Sequence, residues 1–154
     1  MQDRFRFRAW FKPEYREPIM LYDVEQTYDF MRGEPENVPE DCFGDVLADD
    51  DYIVMQCTGL KDKNGKLIYD GDIVKYAEFD WNDFSFKDWE TEMAQVVYGN
   101  DYDTYYPAFD LKDTDFDGTN AFSYLFNEGW TVEVIGNVYE NKELLNDWYA
   151  RKKI

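Results

Sequence analysis

Two tight-turn signals six residues apart constrain this chain more than any other feature. Both fall in residues 56–76, QCTGLKDKNGKLIYDGDIVKY. Asn64-Gly65 predicts a β-hairpin, because a two-residue type I′ turn needs positive φ at both central positions and Asn-Gly tolerates this best. Lys63 and Lys66 flank the turn and keep it solvated. The stretch before it, residues 52–57 (YIVMQC), is apolar and rich in strand-forming residues, and Thr58-Gly59 is expected to end it. Asp70-Gly71 then makes a second tight turn or bulge. From there residues 72–79 alternate, with Ile73, Ala77 and Phe79 on one side and Asp72 and Glu78 on the other. Turns this close together imply a compact β unit, and backbone geometry alone suffices to explain the turn residues.

Two further segments carry a pleated pattern. In residues 5–12 (FRFRAWFK), Phe5, Phe7, Ala9 and Phe11 fall on one face, and Arg4, Arg6, Arg8 and Trp10 on the other. In residues 132–145 (VEVIGNVYENKELL), Val132, Val134 and Val138 share one side of a strand, and Gly136 marks where the sheet can bend or bulge. Asn141 suits a helix N-cap, although Leu144 at the third helical position leaves no reciprocal capping box. The helix that follows has an apolar stripe of Leu144, Leu145, Trp148 and Tyr149. Arg151, Lys152 and Lys153 sit at its C-terminal end, where cations favour the helix dipole. In this order the three segments resemble the YopX protein family, small proteins found mostly in bacterial phages and prophages. The resemblance covers 43 of 154 residues. It implies a phage or prophage accessory protein and brings no assigned biochemical activity. One departure is Phe11 and Lys12 after Trp10, where the family more usually shows an acidic residue.

With 154 residues and 44% apolar content, residues 1–154 are expected to form one domain, with acidic excursions at 23–51 and 77–131. No run approaches the roughly 20 apolar residues needed to cross a bilayer, and no apolar stretch follows the charged start. The expectation is a cytosolic protein of the bacterial host. Two cysteines are too few for a disulfide framework or a zinc site, and with no histidine in the chain Cys57 reads as a core residue rather than a nucleophile.

The net charge of −18 is unevenly spread. Residues 1–22, 52–76 and 134–154 are nearly neutral, whereas 23–51 carry −10 and 77–133 carry −12. Residues 31–51 (MRGEPENVPEDCFGDVLADDD) read as a solvated loop broken by Gly and Pro. The second excursion differs because its acids alternate with aromatics, including Asp80, Trp81, Asp83, Trp89, Asp101 and Asp103, with strands expected at 93–98 and 105–111. Those aromatics can pack on the β core, and the named six are also candidate contacts for a basic protein partner. Residues 77–133 hold 14 carboxylates. A compact chain of this size has a radius of gyration of about 15 Å, and duplex DNA carries about 18 charges over roughly 30 Å. Aligned on one face, the acids would therefore approach the charge density of nucleic acid. Screening over about 8 Å confines their action to a fitted surface. Direct DNA binding is disfavoured, and Arg4, Arg6 and Arg8 are expected to pair within the protein or across a homo-oligomer.

Asp113, Asp115, Asp117 and Gly118 (DTDFDG) match the opening of a calcium loop. The match then fails, since Tyr124 stands where the bidentate Glu belongs, Asn120 is polar, Glu128 is misplaced and no helices are expected on either side. These three aspartates are the candidate metal ligands, with a solvated turn as the alternative. Asp70 with Asp72, or Asp101 with Asp103, could hold Mg²⁺ in a hydrolase. With no His, phosphate-cradling loop or nucleophile elbow, no catalytic residue and no cofactor are expected. The fold expected is mainly β: a small, strongly bent sheet or SH3-like barrel with a C-terminal helix. The function expected is non-enzymatic binding of a protein with a basic surface; metal binding and a purely structural homo-oligomer are the alternatives.

Overall fold

A computed structural model of the chain describes residues 3–26, 42–77, 92–99, 108–112, 114 and 120–152. They gather into two compact units, Met1–Leu60 and Lys61–Ile154. The strands are β1 (Phe7–Phe11), β2 (Ile19–Tyr22), β3 (Tyr52–Lys61), β4 (Leu67–Tyr69), β5 (Asp72–Ala77), β6 (Glu92–Tyr98), β7 (Phe109–Leu111) and β8 (Thr131–Asn137). The helices are α1 (Phe43–Ala48), α2 (Ala121–Asn127) and α3 (Lys142–Lys152). Two antiparallel sheets of four strands run β2-β1-β3-β4 and β7-β6-β5-β8, one of them curled into a half-barrel. The mainly β fold with a terminal helix is as expected, although the strands divide between two sheets.

In the first unit β1 lies between β2 and β3, pairing Ala9 with Leu21 and Val54, and Phe11 with Ile19 and Tyr52. Ala9 is buried with Leu21, Val24, Val46 and Tyr52, and Phe7 and Phe11 pack against that cluster. The alternation read from the sequence holds there and fails at Phe5. A 3₁₀ turn, Asp3–Phe5, closes with Arg6 N–H on the Asp3 carbonyl at 3.0 Å and leaves Phe5 48% exposed. The arginine face is not uniformly exposed either: Arg4 is exposed, Arg6 half-buried, and Arg8 only 2% exposed between Tyr22 and Met55. Helix α1 replaces part of the expected loop, burying Val46 and setting the Phe43 ring 5.1 Å from Phe7. Strand β2 also escaped the sequence reading. Strand β3 does not end at Thr58-Gly59 but continues to Lys61. Gly59 has φ +83°, and a Cβ there would lie 3.2 Å from Arg4 Cβ, so glycine lets the strand pass the N-terminal turn.

In the second unit the hairpin between β3 and β4 is not the two-residue type I′ turn expected. Asp62 N–H bonds the Lys66 carbonyl at 2.8 Å, Gly65 N–H returns to Asp62 O at 3.0 Å, and only Gly65 of the loop has positive φ. This is a three-residue loop, a type I turn closed by a left-handed glycine bulge. The Asp62 carboxylate selects it by accepting Asn64 N–H and Lys66 N–H, each at 2.9 Å. At the second turn Gly71 takes φ +87°, as a tight reversal requires.

Strand β5 is central, so burial does not alternate along it: Asp72, Ile73, Val74, Tyr76 and Ala77 are all buried and Lys75 alone is half-buried. Val74 and Tyr76 share a core with Ala94, Val96, Val132 and Val134, which α2 covers with Ala121, Phe122 and Leu125. Glu78 and Phe79 lie outside the described residues, as do 105–107 of the expected strand 105–111. Helix α2 was not expected. Opposite β5 the register shifts between Ile73, facing Gly136, and Val74, facing Val134. The bulge anticipated at Gly136 is therefore present, with Ile135 as the extra residue. Helix α3 buries Leu145 and half-buries Leu144 and Trp148, while Tyr149, assigned to the same stripe, is 38% exposed. Cys57 is fully buried, as a core cysteine should be. Among the described residues no helix is long and apolar enough to cross a membrane.

Candidate functional site

Carboxylates dominate this chain, and the structure separates those that build the framework from the rest. Asp72 is 1% exposed and accepts Tyr69 N–H at 2.8 Å, locking the turn between β4 and β5. With Asp70 it forms the acid pair that the sequence offers to Mg²⁺, and one of its oxygens is taken by this backbone bond. Asp110 is 2% exposed and accepts Leu111 N–H, Ala121 N–H and Phe122 N–H at 2.8, 3.0 and 3.4 Å. It thereby satisfies the start of α2, which Asn120 completes by accepting Ser123 N–H at 2.8 Å. Asp62 ties its hairpin to β8, where Oδ2 accepts Val134 N–H at 3.0 Å. Counting acids as solvated missed all three. Asp62-x-x-Gly65 and Asp70-Gly71-Asp72, with acceptors beside turns, were the available signals.

Several cations of the framework are engaged as well. Arg6 donates through Nε and Nη2 to Asp23 Oδ1 at 3.1 and 2.9 Å and lies 3.7 Å from Asp3. The pairing within the protein expected of the arginines thus holds for Arg6, while the Arg4 guanidinium sits 4.7 Å from the Phe5 ring centroid. Lys63 and Lys75 approach Glu133 at 3.3 and 3.2 Å. Three acids inside the expected excursions, Asp23, Glu25 and Asp110, thus serve the framework, as does Glu133 just beyond the second. The boundary between scaffold and acid is finer than the charge count by segment suggests.

Two of these acids titrate abnormally, in opposite directions. Partial burial pushes the Glu133 carboxyl up, but the hydrogen bonds and charges of Lys75 and Lys63 outweigh it, so the group lies below its ordinary value. Glu25 lies above it: burial dominates over the bond from Phe7 N–H at 3.3 Å, and Asp23 adds repulsion that Arg6 offsets. The Glu133 contribution to stability is therefore present above the unfolded value of about 4.3 and lost as pH falls through the lower folded value. For Glu25 the contribution is present below that value and lost as pH rises through the higher folded one. We expect Glu133→Gln to be less stable than wild type near neutrality and to converge with it in acid. Glu25→Gln should be more stable near neutrality, with the gain vanishing in acid. Urea unfolding from about pH 7 to about pH 3 measures both.

Asp113, Asp115 and Asp117 lie outside the described residues, as do Asp80, Trp81, Asp83, Trp89, Asp101 and Asp103. Among the described residues no three Cys, Asp or Glu side chains converge as metal ligands. By formal charge the described residues account for −6 and the remainder for −12 of the chain's −18.

No curated protein matches the sequence. The crystal structure of protein EF1440 from Enterococcus faecalis is similar over 91% of this chain and 96% of that one, with 26% identity and a TM-score of 0.51. The family model described as YopX protein matches residues 6–146, which span both sheets and the start of α3. The chain therefore belongs to the YopX protein family.

Proposed function

We propose that this chain is a phage- or prophage-encoded accessory protein that acts by binding another protein and catalyses no reaction. The observation that carries this reading is the division of charge. The framework pairs some of its own ions internally, through Arg6–Asp23, Lys63–Glu133 and Lys75–Glu133, while residues 23–51 and 77–133 carry −10 and −12 of the formal charge. In this reading Asp80, Trp81, Asp83, Trp89, Asp101 and Asp103 meet a basic protein surface, with aromatic anchors among carboxylates that take the place of a nucleic-acid backbone. The partner is a nucleic-acid-binding protein of host or phage, met in the bacterial cytosol.

The test is a pull-down from bacterial lysate at salt graded from about 0.05 to about 0.5 M, over which the screening length shortens roughly threefold. The expected result is a basic protein retained at low salt, released at high salt and displaced by duplex DNA. Recovery of no basic protein, or retention indifferent to salt and to DNA, contradicts the proposal.

A further inference from the structure

We propose that the hairpin tip between β3 and β4 is an edge guard. Asp62 and Lys63 occupy the outer edge of β8 in place of a strand, and release of the tip opens that edge to a strand of a second copy of this chain. Strand β8 ends its sheet, so the backbone groups it turns away from β5 need partners. The tip supplies two of them in strand-like form. Lys63 N–H donates to the Val132 carbonyl at 2.9 Å, and Asp62 Oδ2 accepts Val134 N–H at 3.0 Å. A carboxylate oxygen thus stands where the carbonyl of a neighbouring strand would.

The attachment is removable by its chemistry. Residues 62–66 read DKNGK and contain no apolar side chain. Besides those two bonds, Glu133 meets the tip, approaching Lys63 at 3.3 Å and Asn64 Nδ2 at 3.5 Å. These side chains are partly exposed, and such pairs weaken as salt rises. Strand β8 itself does not depend on the tip, since it pairs with β5 from Asp72 facing Asn137 to Ala77 facing Thr131 and buries Val132 and Val134. Release therefore uncovers a preformed edge. A second copy is the natural occupant because it brings its own terminal strands, β2 and β7, and edge pairing needs main-chain complementarity alone.

Two variants break the guard while keeping its loop. Asp62→Asn retains a side-chain oxygen for Asn64 N–H and Lys66 N–H but turns an amide toward Val134 N–H. Lys63→Pro removes the donor to Val132 at a turn position that favours proline. In each, hydrogen exchange at Val134 should quicken about tenfold with Val74 unchanged, and light scattering should show a mass above the wild type's that rises with concentration. Unchanged protection of Val134 in both variants overturns the guard. Faster exchange with a wild-type mass at every concentration overturns the pairing.

Discussion

Replacing Asp110 with alanine should lower stability by about 3 kcal/mol, because truncation strands buried donors at about 1–3 kcal/mol each. Its carboxylate is the acceptor for Ala121 N–H and Phe122 N–H, the first two amides of α2, and for Leu111 N–H within β7. Helix α2 has seven residues, too few to persist by its own propensity. It is held by this cap, by Asn120 and by the burial of Ala121, Phe122 and Leu125. Losing the cap therefore loosens the cover of the second sheet. Thermal unfolding should shift down by about 10 °C. Asp110→Asn, which keeps an acceptor and loses the charge at the helix start, should cost about 1 kcal/mol. Equal losses in the two variants would show that charge, not hydrogen bonding, does the capping.

Gly136→Ala should cost about 2 kcal/mol, in the range for forcing an atom into a packed site. A Cβ at Gly136 would fall 2.5 Å from Asn141 Oδ1 and 2.9 Å from Asn141 Cβ. The Asn141 side chain cannot simply swing away, because Oδ1 accepts Asn137 N–H at 3.1 Å across the connection from β8 to α3. Asn137 in turn accepts Tyr139 N–H and Glu140 N–H at 3.0 and 2.9 Å. Combining Gly136→Ala with Asn141→Gly removes the collision, so the pair should lose about 1 kcal/mol less than the sum of the single losses in urea unfolding. Strict additivity would mean that the two residues do not compete for one space.

What the sequence made legible was local turn chemistry and strand pattern. The stretch VEVIGN marks Gly136 as a place for the sheet to bend or bulge, and the structure puts the register shift there. Residues 93–98 were read as a strand and lie within β6. Where the reading failed, a distant group had decided the outcome. Asn64-Gly65 is compatible with two hairpin turns, and Asp62 selects the longer one while its other oxygen reaches Val134, 72 residues away. Helix α1 is six residues, too short to show a helical period, and its Phe43 is anchored by Phe7 far away in sequence. Phe5 continued the alternation on paper, yet the backbone bond from Arg6 to Asp3 turned it outward. For the candidate site, composition separated charge by segment, whereas the hydrogen bonds of Asp23, Glu25, Asp110 and Glu133 show that individual acids inside those segments belong to the scaffold.

The central claim is that a framework settled by its own ion pairs carries further acids whose work is recognition. A variant with Asp80, Asp83, Asp101 and Asp103 all changed to Asn tests it, with thermal unfolding and affinity for the salt-released partner measured on the same preparation. The account predicts a melting temperature within about 2 °C of wild type, as its division of roles between scaffold and recognition requires, and binding at low salt weakened at least tenfold. A large fall in melting temperature, or full binding with four charges removed, would contradict it.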